Sequence, residues 1–269
     1  MLTREDVGAG VAVLRRDLQI RFSYRIGFFT QWLGAFFSLT LFYYISRLVR
    51  VRPFSSADAY YAFAVVGLII LQVLNSTLHS PPGLLRQEMM AGTFERIVLS
   101  PFGPVSALAS MLLFPFLNAL INGLVMLGFA SLVFGVSVQW STAPLVIPLA
   151  VIGGLAFAPF GLLLMAVVLL LKQAVSGTTW IVAGISLIAG LYFPVTLLPG
   201  WIRWAAEVQP FTSSVELLRY VLVGTPLRDP AWLDLARIGA FAVVLAPLAG
   251  LALGLAVQIS RRRGTIIEY

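Results

Sequence analysis

The sequence predicts an all-α polytopic membrane protein. It has six transmembrane helices, an N-terminal interfacial helix, a short charged cytoplasmic helix and an outer re-entrant hairpin before the last span. Two observations carry this. Of 269 residues, 59% are hydrophobic and only 11% are charged, less than half the roughly 25% charge of a soluble domain. The charges that exist also fence off uncharged runs at membrane length. A single soluble core of this size could not hide so much apolar surface, so composition excludes a soluble enzyme, a disordered chain and a nucleic-acid-binding domain. The net charge of +7 reads as membrane-flank anchoring. With no cysteine, disulfides, thiol catalysis and thiolate metal sites are excluded.

The first 25 residues form one predicted unit (1–25), and the membrane domain follows (26–269). Val7, Val11, Leu14, Leu18 and Phe22 share a helical face, with Glu5, Asp6, Arg16, Asp17 and Gln19 opposite. That pattern suits a helix lying on the membrane surface, and equally a simple positive-inside anchor. No apolar run precedes Arg25, so no cleavable signal peptide is expected. The uncharged runs are residues 26–46, 59–85, 97–171, 173–202 and 238–260. A helical span needs about 20 apolar residues, and the 97–171 run breaks at GVSVQWSTAP (135–144) into two. The expected spans are therefore 26–46, 60–79, 104–134, 144–171, 175–196 and 234–259. With both termini inside, eleven of the eighteen Lys and Arg residues fall on the cytoplasmic side, as the positive-inside bias requires.

Two segments are not spans. Residues 84–101, LLRQEMMAGTFERIVLSP, are charged and short. Gly92 breaks the stretch, Thr93 is placed to cap a new helix, Glu95 sits in its first turn, and Ser100-Pro101 stops it. A docking protrusion and an ordinary solvated loop both fit. In residues 193–230, WIRWAAEV is too short to cross, and Pro210 ends it. Ser213 and Glu216 read as a capping box for a second short helix that closes at Gly224, and Asp229-Pro230 starts the last span. Trp201 and Trp204, three residues apart, suit an interfacial pair. Together these features predict a re-entrant hairpin at the outer face.

Catalytic chemistry is missing. No GxxxxGK[ST] phosphate loop occurs, so the chain is not an ATPase. The single histidine, His79, has no second ligand at metal spacing, so no metal site is expected. No acidic residue lies mid-span, which argues against proton or sodium coupling. On span two, Gln72, Asn75, Ser76 and His79 form an i, i+3, i+4, i+7 stripe, and span three adds Asn118 and Asn122. Such groups act as interhelical glue, worth about 0.6 kcal/mol each, or line a substrate path; both readings stand. The same two readings apply to the aromatic stripe Phe29, Trp32, Phe36 and Tyr43 on span one. Ala246, Gly250 and Gly254 on span six permit close helix approach, within or between chains.

Two stretches carry a family resemblance. One comprises Glu88, Gly92-Thr93, Glu95-Arg96 and Ser100-Pro101. The other comprises Phe193-Pro194, Leu198-Pro199, Trp201, Pro210, Thr212 and Leu218-Arg219. With the six-span layout around them, the chain resembles the permease subunit of ABC-2 type exporters over nearly its whole length. Gln209 departs from the Asn more usual before Pro210, which touches only a turn. The resemblance implies a homodimer, or a closely related heterodimer, in a bacterial inner membrane with both termini cytoplasmic. It implies a coupling helix, carried by Arg86, Glu88, Gly92, Thr93, Glu95 and Arg96, seated on a separate ATP-binding-cassette subunit. ATP and Mg would bind that partner, with no cofactor on this chain; membrane lipid is a further partner and nucleic acid is not. The expected cargo is amphipathic: a drug-like compound, a lipid or a lipid-linked glycan moved outward. A secondary transporter or channel needing no ATPase, and a membrane scaffold, are the alternatives.

Overall fold

The computed structural model describes residues 25–49, 54–100, 103–171 and 175–262. Of the expected interfacial helix over 1–25, all but Arg25, which begins the first span's helix, lies outside them. Helix α1 is Arg25–Leu48. Helix α2, Ala57–Leu74, runs through a π-helical turn, Asn75–His79, into α3, Ser80–Met90, as one rod of 34 residues. Next come α4 (Phe94–Val98), α5 (Pro104–Ser110), α6 (Leu113–Phe134), α7 (Val146–Leu171), α8 (Val175–Ile188), α9 (Gly200–Val208), α10 (Pro210–Val223) and α11 (Ala231–Arg262). Every regular element among the described residues is helical. Four rods, 57–90, 104–134, 143–171 and 231–262, are long and apolar enough to cross a membrane. They reproduce four of the expected spans, with longer ends on 57–90 and 231–262.

The fifth expected span is shorter than the sequence suggested. Helix α8 stops at Ile188, not 196, and Gly190 adopts a left-handed φ of 75°. A Schellman closure ends the helix, with the Gly190 N–H donating to Leu187 O (3.4 Å) and the Leu191 N–H to Ser186 O (3.4 Å), and Arg219, only 3% exposed, holds the turn. Its Nη1 donates to Gly190 O (2.8 Å) and its Nη2 to Leu191 O (2.9 Å), while Nε donates to Phe63 O (3.3 Å). The guanidinium also lies 3.3 Å from the Phe63 ring centroid. The guanidinium thus fixes the non-helical carbonyls of Gly190 and Leu191 beyond α8 against Phe63 inside α2. Gly67 completes the crossing, because a Cβ there would overlap Leu191 O.

The π turn has a local cause. Pro81 and Pro82 lack N–H groups, and their rings crowd the carbonyls four residues earlier, Thr77 and Leu78. The helix widens instead, with both the Ser80 N–H and its hydroxyl reaching Asn75 O. On the other side Gly161 of α7 meets Thr77 O so closely that a Cβ would overlap it.

Helix α11 packs along α7 as the most extensive helix pair. The face it buries is Ala249, Leu253, Ala256, Val257 and Ser260. The Ala246, Gly250, Gly254 stripe is therefore not the main intrachain seam; of the three, Gly254 approaches Val105. Helix α10 is a core element, with Phe211, Val215, Leu217 and Leu222 buried in the main cluster and Phe211 between Phe157 (4.7 Å) and Phe160 (4.9 Å). Its start corrects the capping-box reading. The helix begins at Pro210, whose fixed φ suits the first position, so Ser213 and Glu216 lie inside it. Glu216 pairs with Arg228 at 2.5 Å, while Gly224 closes the helix with φ 69° as expected. The α9–α10 end, beside the start of α2, is opposite the end that carries α4.

Candidate functional site: the platform around α4

Helix α4 is one and a half turns long and amphipathic. Phe94 and Val98 are 2% and 4% exposed. They sit in a cluster with Leu85 and Met89 of α3, Met165 and Leu169 of α7, and Leu253 and Val257 of α11. Glu95 and Arg96 face outward. Beside them Met90 is 66% and Leu99 77% exposed, which gives a surface of two apolar knobs with a charged pair between them.

The turn into this helix is a Schellman closure of α3. Gly92, with φ 68°, donates to Met89 O (3.2 Å), and the Thr93 N–H donates to Glu88 O (3.0 Å), the reciprocal pair that ends a helix on glycine. Thr93 is therefore not the side-chain cap of α4. Its hydroxyl turns back and donates to the Glu88 carboxylate and the Glu88 carbonyl, a charge-assisted bond within the turn. Glu88 thus braces the platform from the last turn of α3. Arg86 also lies on α3 and is half-buried. Of the six residues expected to form a coupling helix, only Glu95 and Arg96 are on α4 itself.

The far end of α4 is held from 163 residues away. Arg261, in the last turn of α11, donates Nη2 to Val98 O at 2.8 Å, a cation on the carbonyl end of a helix where the dipole favours it. Sequence reading missed Arg261, Met90 and Leu99. Arg261 had a signal only as one of a basic cluster, and the two apolar residues had none without knowing which face of α4 is buried.

The residues expected along a path are distributed differently. Trp32 and Gln72 come together with Asn122 around a cavity of about 10 Å³. Asn75 donates to Leu71 O of its own helix (3.0 Å), and Ser76 is 6% exposed. His79 Nδ1 lies 2.8 Å from Thr178 Oγ1 on α8. The stripe is thus split: the π turn adds a residue and rotates the remainder of the rod by about 100°. Phe36 stacks on Phe129 (4.2 Å), and Tyr43 packs against Phe134 (4.6 Å) and Tyr61 (5.3 Å), so both contact α2 or α6 inside the chain. Phe29 belongs to α1, and its side chain lies outside the described residues.

An amphipathic helix of this kind, wedged beneath long apolar rods and exposed on one side, invites comparison with known proteins. The ABC-2 family transporter protein model matches residues 52–251. The chain belongs to the ABC-2 transporter family. It is therefore a multi-pass membrane protein of a transport family. It is also similar to Nodulation protein J of Rhizobium leguminosarum bv. trifolii, 30% identical over 91 residues, covering 34% of this chain and 35% of that protein. Nodulation protein J of Rhizobium meliloti (strain 1021) is 25% identical over 89 residues, 33% and 34% of the two chains. The match spans about a third of the length of these curated relatives.

Proposed function

We propose that this ABC-2 chain is the permease subunit of an ATP-driven exporter, with α4 as its coupling helix. The observation that carries the reading is the α4 platform. It offers exposed Met90 and Leu99 as anchors and Glu95 and Arg96 as a charged rim, the mix of apolar centre and polar edge that protein interfaces use. The partner is a separate ATP-binding-cassette ATPase that carries ATP and Mg. Its closure pushes on α4; the Schellman turn and Arg261 pass the push to α3 and α11, and the rod carries it through the π turn to α2.

In this reading α1 and α8 complete six spans, α4 faces the cytoplasm, both termini are inside, and α9–α10 is a re-entrant hairpin. At about 13 Å, α9 is too short for a core of about 30 Å, and α10 turns back from it at Pro210 to pack among α2, α7 and α11. Trp201 and Trp204, 75% and 64% exposed, sit where interfacial aromatics belong. Two such permeases pair in a bacterial inner membrane. The cargo is amphipathic, a drug-like compound, a lipid or a lipid-linked glycan, leaving through a pathway to which Trp32, Gln72 and Asn122 contribute polar contacts.

The test is reconstitution in liposomes with and without the ATPase. ATP-dependent efflux should require both polypeptides, and Glu95→Ala or Arg96→Ala should uncouple hydrolysis from efflux, whereas Glu207→Ala on the exposed face of α9 should not. A buried charged pair that loses one member costs roughly 2–5 kcal/mol, against about 0.5 kcal/mol for a solvated charge. Efflux by the chain alone on an ion gradient would overturn the assignment. In the same liposomes an impermeant maleimide should reach Leu99→Cys and Thr225→Cys from opposite sides; labelling from one side would refute the topology.

A further inference from the structure

Helices α6 and α7 are consecutive in the chain, yet they diverge instead of packing along their length; both lean on the π turn, and α6 also packs along α2. Between them lies a slot of about 120 Å³. Its inner wall is Ile70, Ala119 and Phe157, which are 2%, 0% and 3% exposed. Leu218 and Leu222 of α10 line its side. Its mouth is Leu124 and Ile147, 59% and 68% exposed, each on a rod apolar enough to span a membrane. The mouth therefore faces hydrocarbon.

The lining decides the occupant. Among the described residues the only side-chain hydroxyl in it is that of Ser214, and this already donates to Pro210 O at 3.0 Å. An apolar cavity without free polar partners does not hold water, and a void here forfeits dispersion contacts along its walls. A helix from a second copy, about 10 Å across, is far too wide. Depth comes from small residues: a Cβ at Gly153 would meet only Ser214 Oγ at 3.6 Å and the Phe157 ring. The slot lies just below the loop that joins α6 to α7. That loop is tied to α10 by Gln139 N–H to Leu222 O (2.8 Å) and Thr142 Oγ1 to Val221 O (2.6 Å). It also presents Trp140, 70% exposed.

We propose that this slot is a binding site for one alkyl chain of a bilayer phospholipid, taken from the leaflet on the α9–α10 side. The tail enters laterally between Leu124 and Ile147 and packs against Leu218 and Leu222, on the helix that carries Arg219. It adds to the support that α7 already gives α10.

The experiment uses the full chain in phosphatidylcholine vesicles doped with phosphatidylcholine that carries a mid-chain diazirine. After illumination, adducts are mapped by peptide mass spectrometry. Adducts are expected on the slot residues Ala119, Gly123 and Ala150 as well as on the lipid-facing Val243, Val244 and Leu251 of α11. Filling the slot with Gly153→Leu, or separately Ala150→Phe, should lower the slot adducts about tenfold, equivalent to about 1.4 kcal/mol of occupancy, and leave the α11 adducts unchanged. The α11 pattern reports whether each variant is still folded and inserted. Slot adducts no more frequent than those on the buried Val65, Leu74 and Leu78 would overturn the proposal. So would slot adducts that survive both filled variants.

Discussion

Replacing Arg219 with methionine keeps most of the side-chain volume and removes the donors to Gly190 O, Leu191 O and Phe63 O. Phe63 lies inside α2, but Gly190 and Leu191 lie beyond the end of α8. Two buried carbonyls left without their donor cost about 1–3 kcal/mol each, and the lost stacking on Phe63 adds up to about 2 kcal/mol. Relief from burying a guanidinium offsets part of this, by several kcal/mol at most. Glu216 is not stranded, since Arg228 holds it. The net loss should be about 2–4 kcal/mol, or roughly 5–15 °C in thermal midpoint for a chain of this size. Gly67→Ala strikes the same crossing from the other side, by pushing on Leu191 O, and should cost about 1–3 kcal/mol. Because both variants release one segment, the double variant should lose less than the sum. Gly250→Ala, where an added Cβ meets nothing within 4 Å, should instead gain about 0.5–1 kcal/mol. Thermal unfolding in detergent followed by size exclusion measures all four, and limited proteolysis should show new cleavage between residues 190 and 198 in Arg219→Met. If Arg219→Met unfolds at the parent temperature, or its effect adds fully to that of Gly67→Ala, the clamp does not hold this segment.

Gly161→Ala presses a methyl group on Thr77 O; it should cost about 1–3 kcal/mol and shift the distance between spin labels placed on α2 and α3. Thr93→Val removes the hydroxyl that serves Glu88, so a loss of about 1 kcal/mol is expected in thermal unfolding, with faster hydrogen exchange at residues 91–94. Arg261→Ala frees the carbonyl end of α4; the thermal midpoint should fall by no more than that of Thr93→Val, while ATPase stimulation and efflux separate from each other. Stimulation and efflux that remain coupled in Arg261→Ala would refute the force path through α11.

Several features were legible because they are properties of short stretches of chain. The long apolar rods lie where uncharged runs placed them, since hydropathy and charge spacing act residue by residue. Gly92 and Gly224 end helices at the positions their lack of a Cβ suggests. The π turn has a local signal as well, in Pro81-Pro82, but a uniform 3.6-residue period runs straight across it and makes the polar stripe look continuous. Other features depended on what the fold brings near. Arg219 sits in a helix whose own sequence does not say that it is buried, and it holds the segment beyond the Gly190 closure of α8. The Thr93 hydroxyl reaches Glu88 because the chain turns back on itself there. Arg261 meets Val98 only once α11 lies along α7. A helical period is set by neighbours along the backbone, so the sequence alone placed the four long apolar rods found among the described residues, but not the end of α8. In a medium with few competing hydrogen bonds, each charged or hydroxyl side chain goes to the carbonyl or carboxylate that packing presents, and packing between distant segments is what only the tertiary structure decided.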